Sequence, residues 1–381
     1  MIIFGDPFVY WGLKFFLAII LVVCGYVISF KVKSKNEFWK VSIIPIIAYS
    51  LEMGLRWNRS WDYPHYYQDL VGKLYQDYDD LLYLAWLDFF KFTGLPYWVA
   101  FIFYSAILIY GFLTILQQFP KTAVWALPLF LFIPSGADNH TRQFFAIAFA
   151  LIGYSEWLKK NYLKAFLYCG CCLSIHFANI FLILVMIFFS IVKCDGIIKN
   201  PVYLMIAYTL LSLCWNPQWL EGVASVLMKV DAGDSVAGRY LSHSDYWLSD
   251  ESNIANKTGA KVFAVKFYFV ILSLFIKNGL IYYGSKLVNK NSKYNVFFFS
   301  TLLILVIEII GGSMEIFYRF VAQLQCFEAF LMGGIWLYVQ DRSKIERNLV
   351  FILGCYYFGW VGYFRNILEI SLTGYAYIWD I

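Results

Sequence analysis

Apolar stretches follow one another along almost the whole chain, broken by short segments in which polar and charged residues cluster. A helix needs about 20 mostly apolar residues to cross a bilayer. On that basis the pattern predicts about twelve helices, between ten and thirteen, and no strand-like alternation. They centre on 10–30, 41–56, 97–117, 123–135, 142–158, 163–176, 177–192, 201–215, 262–285, 294–312, 317–339 and 348–364. The first is long enough to span and has no charged segment before it, so it reads as a helix rather than a cleavable signal.

The charged segments sort into two kinds. Lys31, Lys33, Lys35 and Lys40, then Lys121, then Lys159, Lys160 and Lys164, then Lys193 and Lys199, then Lys286, Lys290 and Lys293, then Arg342, Lys344 and Arg347 mark one side. These short cationic loops are expected in the cytoplasm by the positive-inside rule, which puts both termini outside. The other side carries six of the eight arginines: Arg56, Arg59, Arg142, Arg239, Arg319 and Arg365. Cations on the outer face run against ordinary topology signals and are the first place to look for function.

Composition agrees. With 61% hydrophobic, 21% aromatic and 14% charged residues, the chain exceeds what a soluble core needs. The expected fold is all-α, a polytopic integral membrane protein forming one transmembrane domain over 1–381. The net charge of +5 sits in short loops, which favours membrane topology over nucleic-acid binding. Cys169, Cys171 and Cys172 followed by His176 could be imagined as a metal cluster, but small thiols in a spanning helix usually serve close packing. No metal or other cofactor is expected.

Three outer segments stand out. Residues 56–96 form an outer loop that opens Arg56-Trp-Asn-Arg59-Ser-Trp-Asp62-Tyr63-Pro-His65-Tyr66-Tyr67, and its Tyr78–Lys91 part reads as an interfacial or re-entrant helix. Residues 138–143 make a compact polar hairpin. Residues 216–261 form a large outer loop with Asp231, Asp234, Arg239, Tyr240, His243, Asp245 and Tyr246. Glu52, Asp138 and Glu315 each precede an arginine (Arg56, Arg142, Arg319) by four residues, a spacing that pairs charges along a helix. Such pairs are either routine helix-end contacts or carboxylates orienting guanidinium groups toward an anionic ligand. Arginine suits that ligand because its rigid fork binds phosphate bidentately, while lysine is a point charge. The aromatic residues around them suit sugar stacking and equally an interfacial belt.

The order Arg56-x5-Asp62-Tyr63-x2-Tyr66, then Asn139-x2-Arg142-Gln143-x2-Ala146, a Lys159-Lys160 turn and a helix ending Ser174-Ile175-His176 resembles the EpsG family of bacterial exopolysaccharide proteins. That family is related in role to Wzy-type O-antigen and capsule polymerases. The resemblance covers 50–190 well and the Arg239-Tyr240 and Tyr318-Arg319 segments more loosely. It departs just before Asp62-Tyr63, where the family usually has a Gly-containing turn and this chain has Asn58-Arg59-Ser60-Trp61.

The resemblance implies a polymerase of undecaprenyl-diphosphate-linked oligosaccharide repeat units in the cytoplasmic (inner) membrane, its site facing the periplasm or outside. Donor and acceptor would both be lipid-linked units, and a chain-length regulator protein would be a further partner. Arginines would neutralise charge on the departing diphosphate, as a metal ion does in many sugar-nucleotide enzymes. Arg142 and Arg319, then Arg56 and Arg239, are the candidates for that role. Asp62 or His176 would take the proton from the attacking hydroxyl. Tyr63, Asn139, Gln143 and Tyr240 would contact substrate or hold the arginines. Each has a plainer reading: Asp62 could pair Arg59 or cap a turn, His176 could bond a helix-end carbonyl, and Asn139 could cap a helix. Glu308 and Glu328 are intramembrane acids of the kind a proton-coupled transporter would want, though Glu308 could pair Arg319, and Glu328 lies near mid-span. Two other functions stay open: a membrane glycosyltransferase of another kind, including an O-antigen ligase, and a flippase for lipid-linked oligosaccharide. A flippase should line both leaflets with cations, which this chain does not.

Overall fold

The computed structural model describes residues 5–60, 62–72, 80–131, 137, 139–192, 200–216, 219, 267–311, 314–356, 358–359 and 375–380. Its regular elements are helices: α1 (Pro7–Phe30), α2 (Lys35–Gly54), α3 (Tyr63–Val71), α4 (Leu81–Thr93), α5 (Tyr97–Leu116), α6 (Ala123–Phe130), α7 (Thr141–Leu158), α8 (Tyr162–Ile175), α9 (Ile180–Ile191), α10 (Pro201–Cys214), α11 (Phe267–Lys290), α12 (Asn295–Gly311), α13 (Glu315–Val339) and α14 (Lys344–Cys355). Each of the twelve apolar stretches contains a helix, and α4 falls on the interfacial-helix segment. By length and composition four described segments can cross a membrane: Pro7–Phe30, Tyr97–Leu116, Ser292–Gly311 and Glu315–Val339. The large 216–261 loop lies outside the described residues apart from Asn216 and Trp219.

Local sequence explains the helix boundaries. Asp6 caps α1 by accepting the Phe8 N–H, with Pro7 at the first helical position. Ser34 caps α2, and Ser343 with Glu346 forms a capping box on α14. Gly94 ends α4 in the left-handed conformation.

The chain divides into two compact units, Met1–Ile191 with Glu328–Ile381, and Val192–Phe327. In the first unit α7 is the central helix. It packs on α5 and α8, while α2 packs on α1 and α5, and α6 on α1. Small residues permit these approaches. A Cβ at Gly54 would lie 2.6 Å from the Ile102 backbone, and one at Gly111 would lie 2.6 Å from the Ala148 carbonyl oxygen. The outward sides stay apolar: α1 exposes Phe8, Phe15, Phe16 and Val23, and α8 exposes Leu163, Phe166 and Leu167. Helices apolar both inside and out are those of a membrane protein.

The two ends of this unit differ as the charge pattern does. At the lysine end, Ser29 Oγ donates to the Lys121 carbonyl and accepts from Val124 N–H, tying the end of α1 to the turn before α6. At the arginine end, the start of α1, the end of α2, the start of α7 and the C-terminal segment 375–380 meet. Trp57 N–H donates to Ala376 O and Ile378 N–H to Leu55 O, around an antiparallel bridge of Arg56 with Tyr377.

In the second unit α10 packs on α11 and α12. Tyr208, Ile281 and Leu305 form its apolar centre. Asn278 Nδ2 donates to Thr209 Oγ1 at 3.0 Å.

Candidate functional site

The site grows from the end of α2. Helix α2 stops at Gly54 and the chain turns out through Leu55 into an extended stretch. Asn58 and Ser60 take positive φ angles of 47° and 103°. Asn tolerates this region, whereas a Cβ-bearing Ser at 103° stores strain of roughly 1–3 kcal/mol. The turn delivers Arg56 and Arg59 into the protein, with relative exposures of only 1% and 3%.

Arg59 enters a charged cluster. Glu52 accepts from Lys14 Nζ at 2.7 Å and from Arg59 at 3.3 Å, and the Tyr377 hydroxyl donates to the same carboxylate at 3.0 Å. The guanidinium lies over the rings of Tyr377 (4.6 Å) and Tyr10 (5.2 Å). Burial, with the Glu52 carboxylate beside it, pushes the Tyr377 phenol well above its ordinary range, so it stays a donor. The expected Glu52–Arg56 pair is therefore corrected: Glu52 holds Arg59 and Lys14. The reason is that α2 ends before residue 56, so helical spacing no longer applies.

Arg56 turns the other way. Its terminal nitrogens donate to the Met53 carbonyl at 2.8 Å and to Thr141 Oγ1 at 2.9 Å, and the group lies over Phe101 at 5.0 Å. It lines a small cleft walled by residues including Tyr49, Tyr104, Ser105 and Phe144. Tyr63 donates its hydroxyl to the Arg56 carbonyl at 3.2 Å. Burial raises that phenol far above its usual range, so Tyr63 is a neutral donor.

The run into α7 gathers the rest. Asn139 Oδ1 accepts the Asp62 backbone N–H at 3.0 Å, and His140 Nδ1 lies 3.5 Å from Asp62 Oδ2. Thr141 takes Arg56, and Arg142 pairs Asp80 at 2.8 Å while lying over Tyr83. Four consecutive side chains thus engage three charged residues from elsewhere in the chain. Asp62, set against Arg59 in one sequence reading, faces His140 instead. Asp138, the expected partner of Arg142, lies outside the described residues.

The remaining candidates are placed as follows. Gln143 is buried in the first turn of α7, and its carbonyl accepts from Asn179 Nδ2 at 3.1 Å. His176 ends α8, half-buried, and its own carbonyl accepts the Asn179 N–H, so it joins the start of α7 through Asn179. Arg319 belongs to the second unit, where it pairs Glu315 one turn earlier in α13, as the spacing predicts. Glu308 pairs Lys277 at 2.8 Å rather than Arg319, a second correction, because α11 lies against α12 and brings the lysine alongside. Glu328 is buried in α13. Arg239 and Tyr240 lie outside the described residues.

Sequence reasoning missed His140 and Asp80 as partners, and also Lys14 and Tyr377. Lys14 carried a signal, since a lone lysine within an apolar helix calls for a counter-ion. His140 stood in the same hairpin as Arg142. Tyr377 offered no signal at all.

The motif order read from the sequence is matched at the scale of the chain by the EpsG family model, which covers residues 39–377. The chain belongs to the EpsG family. This is a family of exopolysaccharide and Wzy-like membrane proteins. The EpsG match takes in every residue of the cluster described above except Tyr10 and Lys14. No curated protein and no solved structure matches the chain. Within the turn Asn58-Arg59-Ser60, two residues take the positive φ that glycine favours.

Proposed function

We propose that this EpsG-family protein polymerises undecaprenyl-diphosphate-linked oligosaccharide repeat units at the outer face of the bacterial cytoplasmic membrane, for capsule, exopolysaccharide or O-antigen. The observation that carries this reading is that one run of chain, Asn139 to Arg142, engages Asp62, Arg56 and Asp80 at the arginine end of the first unit, where Arg59 is also held, by Glu52. Buried guanidinium groups are arranged for an anion of fixed geometry, and a nearby carboxylate for a proton.

In the proposed reaction a hydroxyl of one lipid-linked unit attacks the anomeric carbon of the growing chain. The bond from that carbon to the diphosphate oxygen breaks, and the lipid diphosphate leaves with the bonding electrons. The hydroxyl proton passes to Asp62, whose side chain is about one-third exposed (36%) and open to substrate. Arg56 and Arg142 stabilise the charge growing on the leaving diphosphate in a site of low dielectric. Arg142 leaves Asp80 to do so; Arg319 and Arg239, both in the other unit, are separate candidates for binding diphosphate. His176 is the second candidate for the base.

The test is the glycan made by a deletion host complemented with wild-type protein or with Asp62→Asn, each at matched membrane level. Wild type is expected to restore long polymer, and the variant to leave single lipid-linked units on the outer face. Long polymer from Asp62→Asn removes that residue from the chemistry. Single units trapped on the inner face in the deletion host would replace the polymerase by a flippase.

A further inference from the structure

Asp62 does not do the ordinary work of its position. It stands at the N-cap of α3, where an Asp side chain normally accepts a backbone N–H of the first turn for about 1 kcal/mol, yet it makes no capping bond. Its carboxylate instead has Oδ2 3.5 Å from Nδ1 of His140, while the preceding Asn139 holds the Asp62 backbone N–H at 3.0 Å. The two partners are adjacent in sequence and lead directly into α7, a largely buried helix. Burial is unequal in a telling direction: the His140 side chain is 8% exposed and that of Asp62 36%. The imidazole sits behind the carboxylate, and the carboxylate fronts the open side. The next residue, Thr141, bonds Arg56, so the backing of the carboxylate and the seat of a guanidinium are one rigid piece of chain.

We infer that His140 is the positioning residue for the proton-accepting carboxylate, acting through its Nδ1 to fix Asp62 on the run of chain that also seats Arg56. This rests on the polymerase reading above and adds to it a residue that the motif order did not assign. The inference is specific about geometry. An Asn side chain carries its amide nitrogen as many bonds from Cα as the Nδ1 of histidine, whereas Gln carries its amide nitrogen one bond farther, nearer to Nε2. Since the contact is through Nδ1, His140→Asn should restore the arrangement and His140→Gln should not.

The experiment uses the full chain in membranes of the deletion host, which supply the native single lipid-linked unit, and follows the polymer ladder with time. His140→Asn is expected to polymerise within about threefold of wild type. His140→Gln and His140→Ala are expected to lose about 10- to 100-fold in turnover with KM for the lipid-linked unit unchanged. Adding Asp62→Asn to His140→Ala should cost little more than Asp62→Asn alone, because the two act as one. Thermal stability of each variant is measured in parallel, and if His140→Ala fails to fold, the comparison of Asn with Gln decides. Equal rates for Asn and Gln, or better rescue by Gln, overturn the inference and leave the polymerase reading standing. Absence of any ladder from wild type, with the single units present, overturns both.

Discussion

The two ends of the first unit hold their charges in opposite ways. At the lysine end the charged side chains bond locally: Lys159 pairs Glu156 three residues away, Glu37 accepts the Lys33 N–H four away, and Ser343 and Glu346 cap their own helix. At the arginine end the partners are 38 residues apart for Lys14 and Glu52, 85 for Arg56 and Thr141, and 325 for Tyr377 and Glu52. Local, solvated pairs contribute a few tenths of a kcal/mol and serve topology. Buried pairs assembled from distant segments cost desolvation, so a chain that keeps several of them gains something other than stability from their positions. That contrast is the ground for proposing function at the arginine end.

Substitutions at the two ends test the contrast. The largest effect is expected from Glu52→Gln, which leaves Lys14 and Arg59 buried beside a neutral amide. A loss of about 3–5 kcal/mol should appear as a collapse in thermal stability and membrane yield, and a second change, Lys14→Met, should recover part of it. A wild-type melting curve for Glu52→Gln would show the cluster to be as slack as a surface pair. Next comes Arg142→Ala, expected to lower polymerisation by about 100-fold or more with normal insertion; Asp80→Asn, which frees the same guanidinium, should leave polymer length intact. Tyr377→Phe removes the hydroxyl that donates to Glu52 at 3.0 Å and accepts a longer bond from Arg59 at 3.5 Å, so about 1.5–3 kcal/mol of stability should go while the fold persists. The smallest effect belongs to the lysine end: Ser343→Ala should cost about 1 kcal/mol as a lost cap and change polymer length not at all.

How much of this was legible in the sequence follows from the same contrast. Helices are local objects, so each apolar run contains one, although its ends can differ by several residues, as at the start of α2, which begins at Lys35 and not at 41. The spacing of Glu315 and Arg319 worked because both lie inside α13. The spacing of Glu52 and Arg56 failed because α2 ends at Gly54, two residues before the arginine. Asp80 and His140 could not be assigned to Arg142 and Asp62 from spacing, since packing of α3, α4 and α7 creates those contacts and no periodicity encodes them. The C-terminal segment was invisible for a further reason. Its backbone pairs with Leu55–Trp57 through N–H and C=O groups that every residue carries.

The most direct test of the central claim is polymer length in the deletion host carrying Arg56→Lys. Lysine keeps the charge and much of the side-chain reach but not the fork that spans the Met53 carbonyl and Thr141 Oγ1. With membrane level matched to wild type, only single lipid-linked units are expected. A full-length ladder from that variant would contradict the claim that buried guanidinium geometry at this end performs the chemistry.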